Sequence, residues 1–388
     1  MNLFNNLNTL QKSLAISILS IILFVVSTGA SYSFFSTGGN SASSSSKVSL
    51  PGPANSVVED DKDPKTESCP LNGKMYSKKS KDNWETRRPL AVMIENHTEA
   101  RPQSGLSSAD VIYETVAEGG ITRFMGVFLC NLQDAQVGPV RSARTYFLDW
   151  LSEYDALYAH VGGANTPGPA NALGQIIKYG VKDLNQFSIG FPTFWRDYQR
   201  LGKAVATEHT MYSTTQKLWA IGAKRGWTAV DDENKRWDTS FVLWKFKDDK
   251  KDFGKTNKID VEFWQGYTDF SVNWEFDNTC NCYKRKNGGA PHLDLNNNNQ
   301  LAAKNVVIQF ERESHANDGY ENNAHLLYKT IGEGKAMFFI DGDVAEGKWI
   351  KNSRTSRTKY IDSSGKEIIF NRGLIWIQTV PEGSKVSF

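Results

Sequence analysis

The amino-acid sequence predicts an α+β protein with an N-terminal transmembrane helix, a mixed α/β first domain and a mostly-β second domain. Three observations support this fold class. An apolar stretch without charge lies near the start, strand-like and helix-like patterns alternate over residues 86–236, and short runs rich in β-branched and aromatic residues fill residues 237–388. The chain has 388 residues, 39% hydrophobic and 23% charged, which suits two domains that fold in water.

The membrane prediction comes from residues 13–35, which contain no charged side chain. A helix needs about 20 apolar residues to cross a bilayer, and this stretch is long enough. Lys12 is the only charge before it and Lys47 is the nearest charge after it, so the positive-inside rule predicts a cytoplasmic N-terminus. We expect a single-pass protein of the cell membrane whose bulk lies outside the cytoplasm.

A cleaved signal peptide is the alternative to this anchor. Thr28, Gly29 and Ala30 offer the small residues that precede a cleavage site. We favour the uncleaved anchor because the uncharged stretch is longer than the apolar core of most signal peptides. Both alternatives export the rest of the chain.

The domain organisation follows from changes in composition. Residues 1–35 are predicted to form the cytoplasmic tail and anchor. Residues 36–85 are predicted to form a disordered tether, because they hold the serine run 41–46, several prolines and an acidic run. The α/β domain with the candidate site covers residues 86–236, and the mostly-β domain covers residues 237–388.

In the first domain, short apolar runs predict buried strands, and longer runs with helical spacing predict helices. The predicted strands are Leu90–Ile94, Ala109–Val116, Phe124–Leu129 and Tyr154–Tyr158. The predicted helices are Ser142–Leu151, Ala170–Tyr179 and Thr214–Gly226. Thr214 can cap the last of these, and Gly180 can end the one before it.

In the second domain, the apolar runs are short and are spaced as in hairpins. They are Phe241–Phe246, Ile259–Phe263, Ser271–Phe276, Val306–Phe310, Ala336–Ile340, Gly347–Lys351, Thr358–Ile361 and Leu374–Thr379. A turn is predicted at residues 362–365, whose sequence is Asp-Ser-Ser-Gly. This pattern favours a domain built mainly from β-strands.

Charge and cysteine content narrow the classes of partner. The formal net charge is +2, so we expect no nucleic acid as a partner. The four cysteines are too few for a disulfide scaffold. Cys280 and Cys282 are separated by one residue rather than the two that are typical of zinc sites, so we expect no metal there. A disulfide or two free thiols both remain open for this pair, and we expect no cofactor.

Five polar segments, most of them punctuated by glycine or found just past a predicted strand, are the candidates for a site in the first domain. They are residues 114–123, 138–144, 160–164, 194–197 and 209–212. An α/β domain commonly builds its site from such corners at strand ends. Backbone N–H groups at a helix start, with arginines beside them, suit a phosphate or carboxylate.

The candidate residues divide into two roles. Those for general acid–base catalysis are Glu114, Glu118, His160 and His209. Those for holding an anionic ligand are Arg123, Arg141, Arg144 and Arg196. Each also has a structural interpretation, because the glutamates can pair with Arg123 and exposed arginines commonly form weak ion pairs. The sequence lacks the motifs of common serine hydrolases and zinc hydrolases.

Several segments in their order along the chain resemble the YerB-like family of bacterial envelope lipoproteins. In the first domain these are Ala100–Leu106, Ala109–Glu114, Glu118–Phe124, Gly138–Arg144 and Phe194–Arg196. In the second they are Tyr283–Arg285, Pro291–Asp294, Ala303–Val307 and Ser353–Thr358. The resemblance covers residues 86–385 and implies an exported bacterial protein with two domains of unknown function. Typical members carry a lipobox cysteine, which is absent here at the end of the apolar stretch.

Two functions follow as hypotheses. The first is a non-enzymatic envelope module that binds an anionic glycan, peptide or lipid-linked polymer through the four arginines. The second is an enzyme that acts on a cell-wall glycan, peptide or phosphate-containing polymer by Glu/His acid–base chemistry. The expected partners are the membrane, through the N-terminal helix, and a cell-wall polymer or other envelope proteins.

Overall fold

The computed structural model describes residues 62–388. The predicted transmembrane helix and the first part of the predicted tether lie outside the described residues. Among residues 62–388, none of the helices combines the length and the apolar character that a membrane span requires. These residues are 39% strand and 16% helix, so the predicted fold class is wrong for them: the structure is a mostly-β protein.

The first part of the described chain holds ten strands and five α-helices. In chain order they are β1 (Lys65–Ser68), β2 (Met75–Ser77), α1 (Lys78–Trp84), β3 (Leu90–Glu95), β4 (Val111–Glu118), β5 (Ile121–Phe128), β6 (Gln136–Val137), α2 (Thr145–Leu151), β7 (Leu157–His160), α3 (Ala172–Tyr179), β8 (Lys182–Asn185), α4 (Gln186–Ile189), β9 (Trp195–Arg196), β10 (Met211–Thr214) and α5 (Thr215–Lys224). Short 3₁₀ turns lie at Thr98–Ala100, Leu106–Ser108 and Thr207–Thr210.

The second part holds strands and two further 3₁₀ turns. The strands are β11 (Lys245–Lys247), β12 (Lys258–Val261), β13 (Val272–Asp277), β14 (Cys282–Asn287), β15 (Ala290–Pro291), β16 (Ala302–Ala303), β17 (Asn305–Glu311), β18 (Glu313–His315), β19 (Leu326–Tyr328), β20 (Gly332–Ile340), β21 (Asp343–Lys351), β22 (Lys359–Asp362), β23 (Ile369–Asn371), β24 (Ile375–Pro381) and β25 (Val386–Ser387). The turns are Thr268–Phe270 and Glu321–Asn323.

Ten of these strands form one central sheet to which both parts of the chain contribute. Its order is β22-β21-β20-β17-β24-β4-β5-β3-β7-β8, so five strands come from each part. The two parts meet where β24 pairs in parallel with β4, with Ile375 opposite Val111 and Gln378 opposite Glu114. The alternation of strands and helices predicted an α/β domain. The helices are only 4 to 10 residues long, so strands contain more of the described residues than helices do.

The two faces of the central sheet are covered by different elements. A second sheet, ordered β15-β14-β13-β12-β25, lies on one face, where Trp274 and Trp376 pack edge to face with ring centroids 5.2 Å apart. Helix α2 covers the other face, where Trp150 stacks on Tyr113 at 5.3 Å. All six residues of β3 are buried, as expected for a strand with both faces covered.

The helix boundaries follow local capping rules. The side chain of Asn171 accepts a hydrogen bond from Gly174 N at the start of α3, and Gly180 ends that helix with a φ of 62°. The side chain of Thr214 caps α5 by accepting from Lys217 N. Both helices were predicted close to these positions.

Residues 65–84 form β1, β2 and α1, although the sequence places them in the tether. Leu71, Tyr76 and Trp84 are buried, and Cys69 is disulfide-bonded to Cys130. The disulfide and the buried apolar side chains hold this segment against the domain. The second pair, Cys280 and Cys282, is also disulfide-bonded.

Candidate functional site

Glu114 lies on the central sheet and is fully buried. Its Oε1 accepts hydrogen bonds from Arg285 at 2.7 Å and from Thr122 at 3.1 Å. Its Oε2 accepts from Trp376 at 2.9 Å and from Gln378 at 3.0 Å. Donors inside the protein occupy both oxygens, and the buried carboxylate is not exposed to solvent.

Arg285 continues this buried network into the second sheet. Its guanidinium lies 4.7 Å from the ring centroid of Trp376, and its Nη1 contacts Nδ1 of His292. His292 Nε2 lies 2.6 Å from Gln103 Oε1. Burial, and then the charges of Arg285 and Arg101, lower the pKa of His292 well below its usual value. His292 is therefore neutral, with Nδ1 accepting and Nε2 donating.

Glu114 and Glu118 face opposite sides of the sheet, although both lie on β4. Thr122 and Arg123 are consecutive residues of β5, so their side chains point to opposite faces. Thr122 donates to Glu114, whereas Arg123 donates to Glu118 at 3.2 Å. A register irregularity between Val116 and Glu118 shifts the strand by one residue and so turns Glu118 to the face opposite Glu114. The two glutamates thus belong to separate networks.

Glu118 is held between two arginines. Its Oε2 pairs with Arg144 and its Oε1 with Arg123, and its side chain is 26% exposed. Burial alone would raise the pKa of Glu118, but the charges of Arg123 and Arg144 outweigh it and lower the pKa to about 2. Arg123 also donates to Ser142 O at 3.0 Å. Burial, and then the charge of Arg144, lower the pKa of Arg123, and Arg141 acts in the same direction.

Arg141 stands beside this pair and contacts a different carboxylate. Its Nε lies 3.1 Å from Glu95 Oε1 without the alignment of a hydrogen bond. Glu95 lies opposite Arg123 in the β3–β5 register, and its Oε2 lies 2.8 Å from His209 Nδ1. We name the group of Glu95, Glu118, Arg123, Arg141 and Arg144 the arginine cluster. Of its arginines Arg141 is the most exposed, at 24% of its side chain.

The remaining candidates have structural partners of their own. His160 is fully buried and contacts Gly162 O at 2.6 Å and Asp183 Oδ1 at 2.7 Å. Arg196 is exposed and donates to Thr207 O and, at 3.3 Å, to Thr210 Oγ1. Arg196 therefore supports the turn that carries His209. Among the described residues, no hydrogen bond joins any two of Glu114, Glu118, His160 and His209.

The sequence patterns missed Glu95 and Arg285 as members of these networks. Glu95 ends an apolar strand. Its position opposite Arg123 and its pairing with Arg141 are visible only in the folded structure. Arg285 lies on β14, 171 residues from Glu114 along the chain. Both of its neighbours along the strand are lysines, so the local pattern did not mark Arg285 as a buried residue.

Family models match both parts of the chain. The N-terminal domain of the protein of unknown function DUF3048 matches residues 76–228, and the C-terminal domain of the same family matches residues 259–377. The chain belongs to this family.

A relative and a solved structure agree with this assignment. The relative, named "Putative lipoprotein YerB" from Bacillus subtilis (strain 168), is 29% identical over 315 residues, which cover 80% of this chain and 87% of the relative. The crystal structure of YerB protein from Bacillus subtilis matches with a TM-score of 0.67 and 25% identity, over 83% of this chain and 100% of that one.

The buried network joins the two DUF3048 domains. Glu114 and Gln103 lie in the segment matched by the N-terminal domain, whereas Arg285, His292 and Trp376 lie in the segment matched by the C-terminal domain. The arginine cluster, in contrast, lies wholly within the N-terminal DUF3048 domain. In this chain the two DUF3048 domains thus share one central sheet, and the buried pair of Glu114 and Arg285 is one of the contacts that join them.

Proposed function

We propose that this protein is an extracytoplasmic envelope protein that binds an anionic ligand at Arg141. Two observations support the location. The relative from Bacillus subtilis is named as a lipoprotein, and all four cysteines of this chain are paired in disulfides. Disulfides persist in oxidising compartments and are rare in the cytosol.

The charge balance of the arginine cluster supports ligand binding. It contains three guanidinium groups and two carboxylates, and Glu118 is already shared by Arg123 and Arg144. Among residues 62–388, Arg141 contacts only one carboxylate oxygen, through Nε. Its two terminal nitrogens donate no hydrogen bond to another residue within 62–388. This single observation carries the proposal, because the two unused terminal nitrogens of Arg141 can donate together to the two oxygens of one carboxylate or phosphate.

The class of ligand follows from the geometry of the guanidinium. Its planar fork matches the two oxygens of a carboxylate or a phosphate. Outside the cytoplasm such groups are repeated along anionic wall polymers and occur on peptides and lipid headgroups. We propose an anionic wall polymer as the ligand. The binding experiment therefore includes cell wall from which this polymer has been extracted.

The location is tested by protease added to intact spheroplasts that express the full chain. Residues 62–388 should be digested while a cytoplasmic control protein survives. Protection of the chain until the spheroplasts are lysed would contradict the proposed location, and with it the choice of ligand.

Binding is tested by cosedimentation of the purified chain with cell-wall sacculi. We compare sacculi that carry their anionic polymers with the same sacculi after acid extraction of those polymers. The Arg141→Ala variant should bind intact sacculi about 10- to 100-fold more weakly, because one charge-assisted hydrogen-bonding group contributes about 1.5–3 kcal/mol.

Arg236→Ala is the matched control, because Arg236 is an exposed arginine that pairs with Asp238 away from the arginine cluster. It should retain the affinity of the unaltered chain. Equal retention of the Arg141 and Arg236 variants, or equal binding to extracted sacculi, would rule out Arg141 as the binding residue for the polymer.

We do not base an enzymatic function on Glu114, Glu118, His160 and His209. An acid–base pair must approach one reacting group within hydrogen-bond reach. Glu114 is saturated by internal donors, and Glu118 is neutralised by two arginines.

A further inference from the structure

We propose that His97, Glu99 and His209 form a binding site for a divalent transition metal of the Zn²⁺ class. One ligand atom from each of the three side chains can be chosen so that all three atoms lie within 4.8 Å of one another. Two imidazoles and a carboxylate are a ligand set that zinc uses in proteins. The sequence did not indicate this site, because 111 residues lie between positions 97 and 209.

The orientation of His209 supports the proposal. Its Nδ1 lies 2.8 Å from Glu95 Oε2, so a proton on Nδ1 would donate to this carboxylate and Nε2 would carry the lone pair that a metal needs. A carboxylate in this position is the usual partner of a metal-bound histidine. Glu95 therefore acts as a positioning residue for His209.

The distance between His209 and Glu99 matches the distance between two ligands of one metal ion. His209 Nε2 lies 3.4 Å from Glu99 Oε2, too far for a good hydrogen bond. Two ligands bound to tetrahedral zinc at about 2.0–2.1 Å lie roughly 3.3–3.4 Å apart. A lone pair and a carboxylate that face each other at this distance repel unless a cation lies between them.

His97 would supply the third ligand after its ring turns out of the stack with His209. Its ring stacks on that of His209 with centroids 4.7 Å apart and planes at 11°. Its Nδ1 accepts a hydrogen bond of 3.2 Å from Glu99 N. Binding through Nε2 would move the proton to Nδ1 and release this hydrogen bond, which is a small loss because the contact is long.

The site is open to solvent on one side. The side chain of Glu99 is 52% exposed and that of His209 is 6% exposed. Three protein ligands leave a fourth position of a tetrahedral ion free for water or another small ligand. The site is separate from Arg141 in its ligands, although Glu95 contacts both Arg141 and His209.

A proton is the competing occupant, because a doubly protonated His209 would also lie between Glu95 and Glu99. The two explanations differ in what titration with metal shows. Isothermal titration of the purified full chain with ZnCl₂ at pH 7.5 should give one site, and MgCl₂ should give none because Mg²⁺ prefers an all-oxygen shell.

Three variants test the ligands. His97→Ala, Glu99→Gln and His209→Ala should each weaken Zn²⁺ binding at least 10-fold. His315→Ala is the control, because His315 is an exposed histidine whose Nδ1 contacts Asn323 O, and it should bind as the unaltered chain does. Absence of Zn²⁺ binding by the unaltered chain, or equal binding by all four variants, would overturn the site.

Two further measurements separate loss of ligands from loss of structure. Glu99 is half exposed, so Glu99→Gln should keep the circular dichroism spectrum and thermal midpoint of the unaltered chain. Co²⁺ in place of Zn²⁺ should give the visible absorption of a tetrahedral ion, and Glu95→Gln should weaken binding about 10- to 100-fold, as loss of an outer-shell carboxylate does. Unchanged Co²⁺ spectra in Glu99→Gln would also reject the assignment.

Discussion

The two faces of β4 and β5 carry two glutamate–arginine networks of very different character. On the face under the second sheet, Glu114 and Arg285 are both fully buried and Glu114 accepts four hydrogen bonds. On the opposite face, Glu118 is 26% exposed and is shared by two arginines, with Arg141 beside them. The adjacent residues Thr122 and Arg123 donate to Glu114 and Glu118, respectively.

The difference shows that residue type does not distinguish a structural ion pair from a binding site. Glu114 and Arg285 pair with each other between the two DUF3048 domains, and both side chains are fully buried, so neither reaches a ligand in solvent. The arginine cluster has one more positive than negative group and reaches solvent through Arg141. Exposure to solvent together with unused donors, rather than the presence of Glu and Arg, decides which network is available for binding.

The largest effect is expected from Glu114→Gln. The amide would leave the charge of Arg285 buried without a counter-charge and would turn an NH₂ group towards existing donors. Loss of one partner of a buried ion pair costs about 3–5 kcal/mol. The free energy of unfolding, measured by urea denaturation, should fall by that amount.

Glu275→Gln is the control for this variant, because Glu275 pairs with Lys286 on the second sheet at 47% and 30% exposure. Its effect should stay under about 1 kcal/mol. The double variant Glu114→Gln with Arg285→Met should recover part of the loss, since no buried charge remains. Equal stability of the two single variants would contradict a structural role for Glu114.

The second prediction concerns acid. The pKa of Glu118 is lowered from 4.5 to about 2 in the folded chain, so the unfolded chain binds this proton more readily. The stability from Glu118 is therefore complete above pH 4.5 and is lost as the pH falls from 4.5 towards 2. The difference amounts to about 3 kcal/mol.

This contribution is measured as the pH dependence of urea unfolding between pH 6 and 3 in the unaltered chain and in Glu118→Gln. The variant should have a shallower slope below pH 4.5, because it lacks the titrating carboxyl. Identical slopes would show that the two arginines do not hold Glu118 as an anion. They would also contradict the proposed difference between the Glu114 and Glu118 networks.

The smallest effect is expected from Arg141→Ala on stability. Its ion pair with Glu95 lacks hydrogen-bond alignment and Glu95 keeps its contact with His209, so the loss of Arg141 should change the free energy of unfolding by about 1 kcal/mol. The measurement is the same urea titration, with Arg236→Ala for comparison. A loss of 3 kcal/mol or more would assign Arg141 to the structural class of Glu114.

Local sequence patterns predicted many elements but not their assembly. The helices Ala172–Tyr179 and Thr215–Lys224 follow their caps, and β3, β4 and β5 follow their apolar runs, because these signals act within a few residues. The predicted α/β domain failed because strands of both parts pair in one sheet, and pairing between β24 and β4 depends on contacts about 260 residues apart along the chain. The tether prediction missed residues 65–84, which a disulfide to Cys130 and buried aromatic side chains hold in place.

The sequence by itself determined the membership in the DUF3048 family, the β-rich second part and the residue types that can hold an anion. Only the tertiary structure decided that Glu114 and Glu118 lie on opposite faces, that Arg285 neutralises one of them, and that His97 and His209 stack. The reason is physical: capping and apolar periodicity depend on neighbours along the chain, whereas ion pairing and metal ligation depend on distances through space.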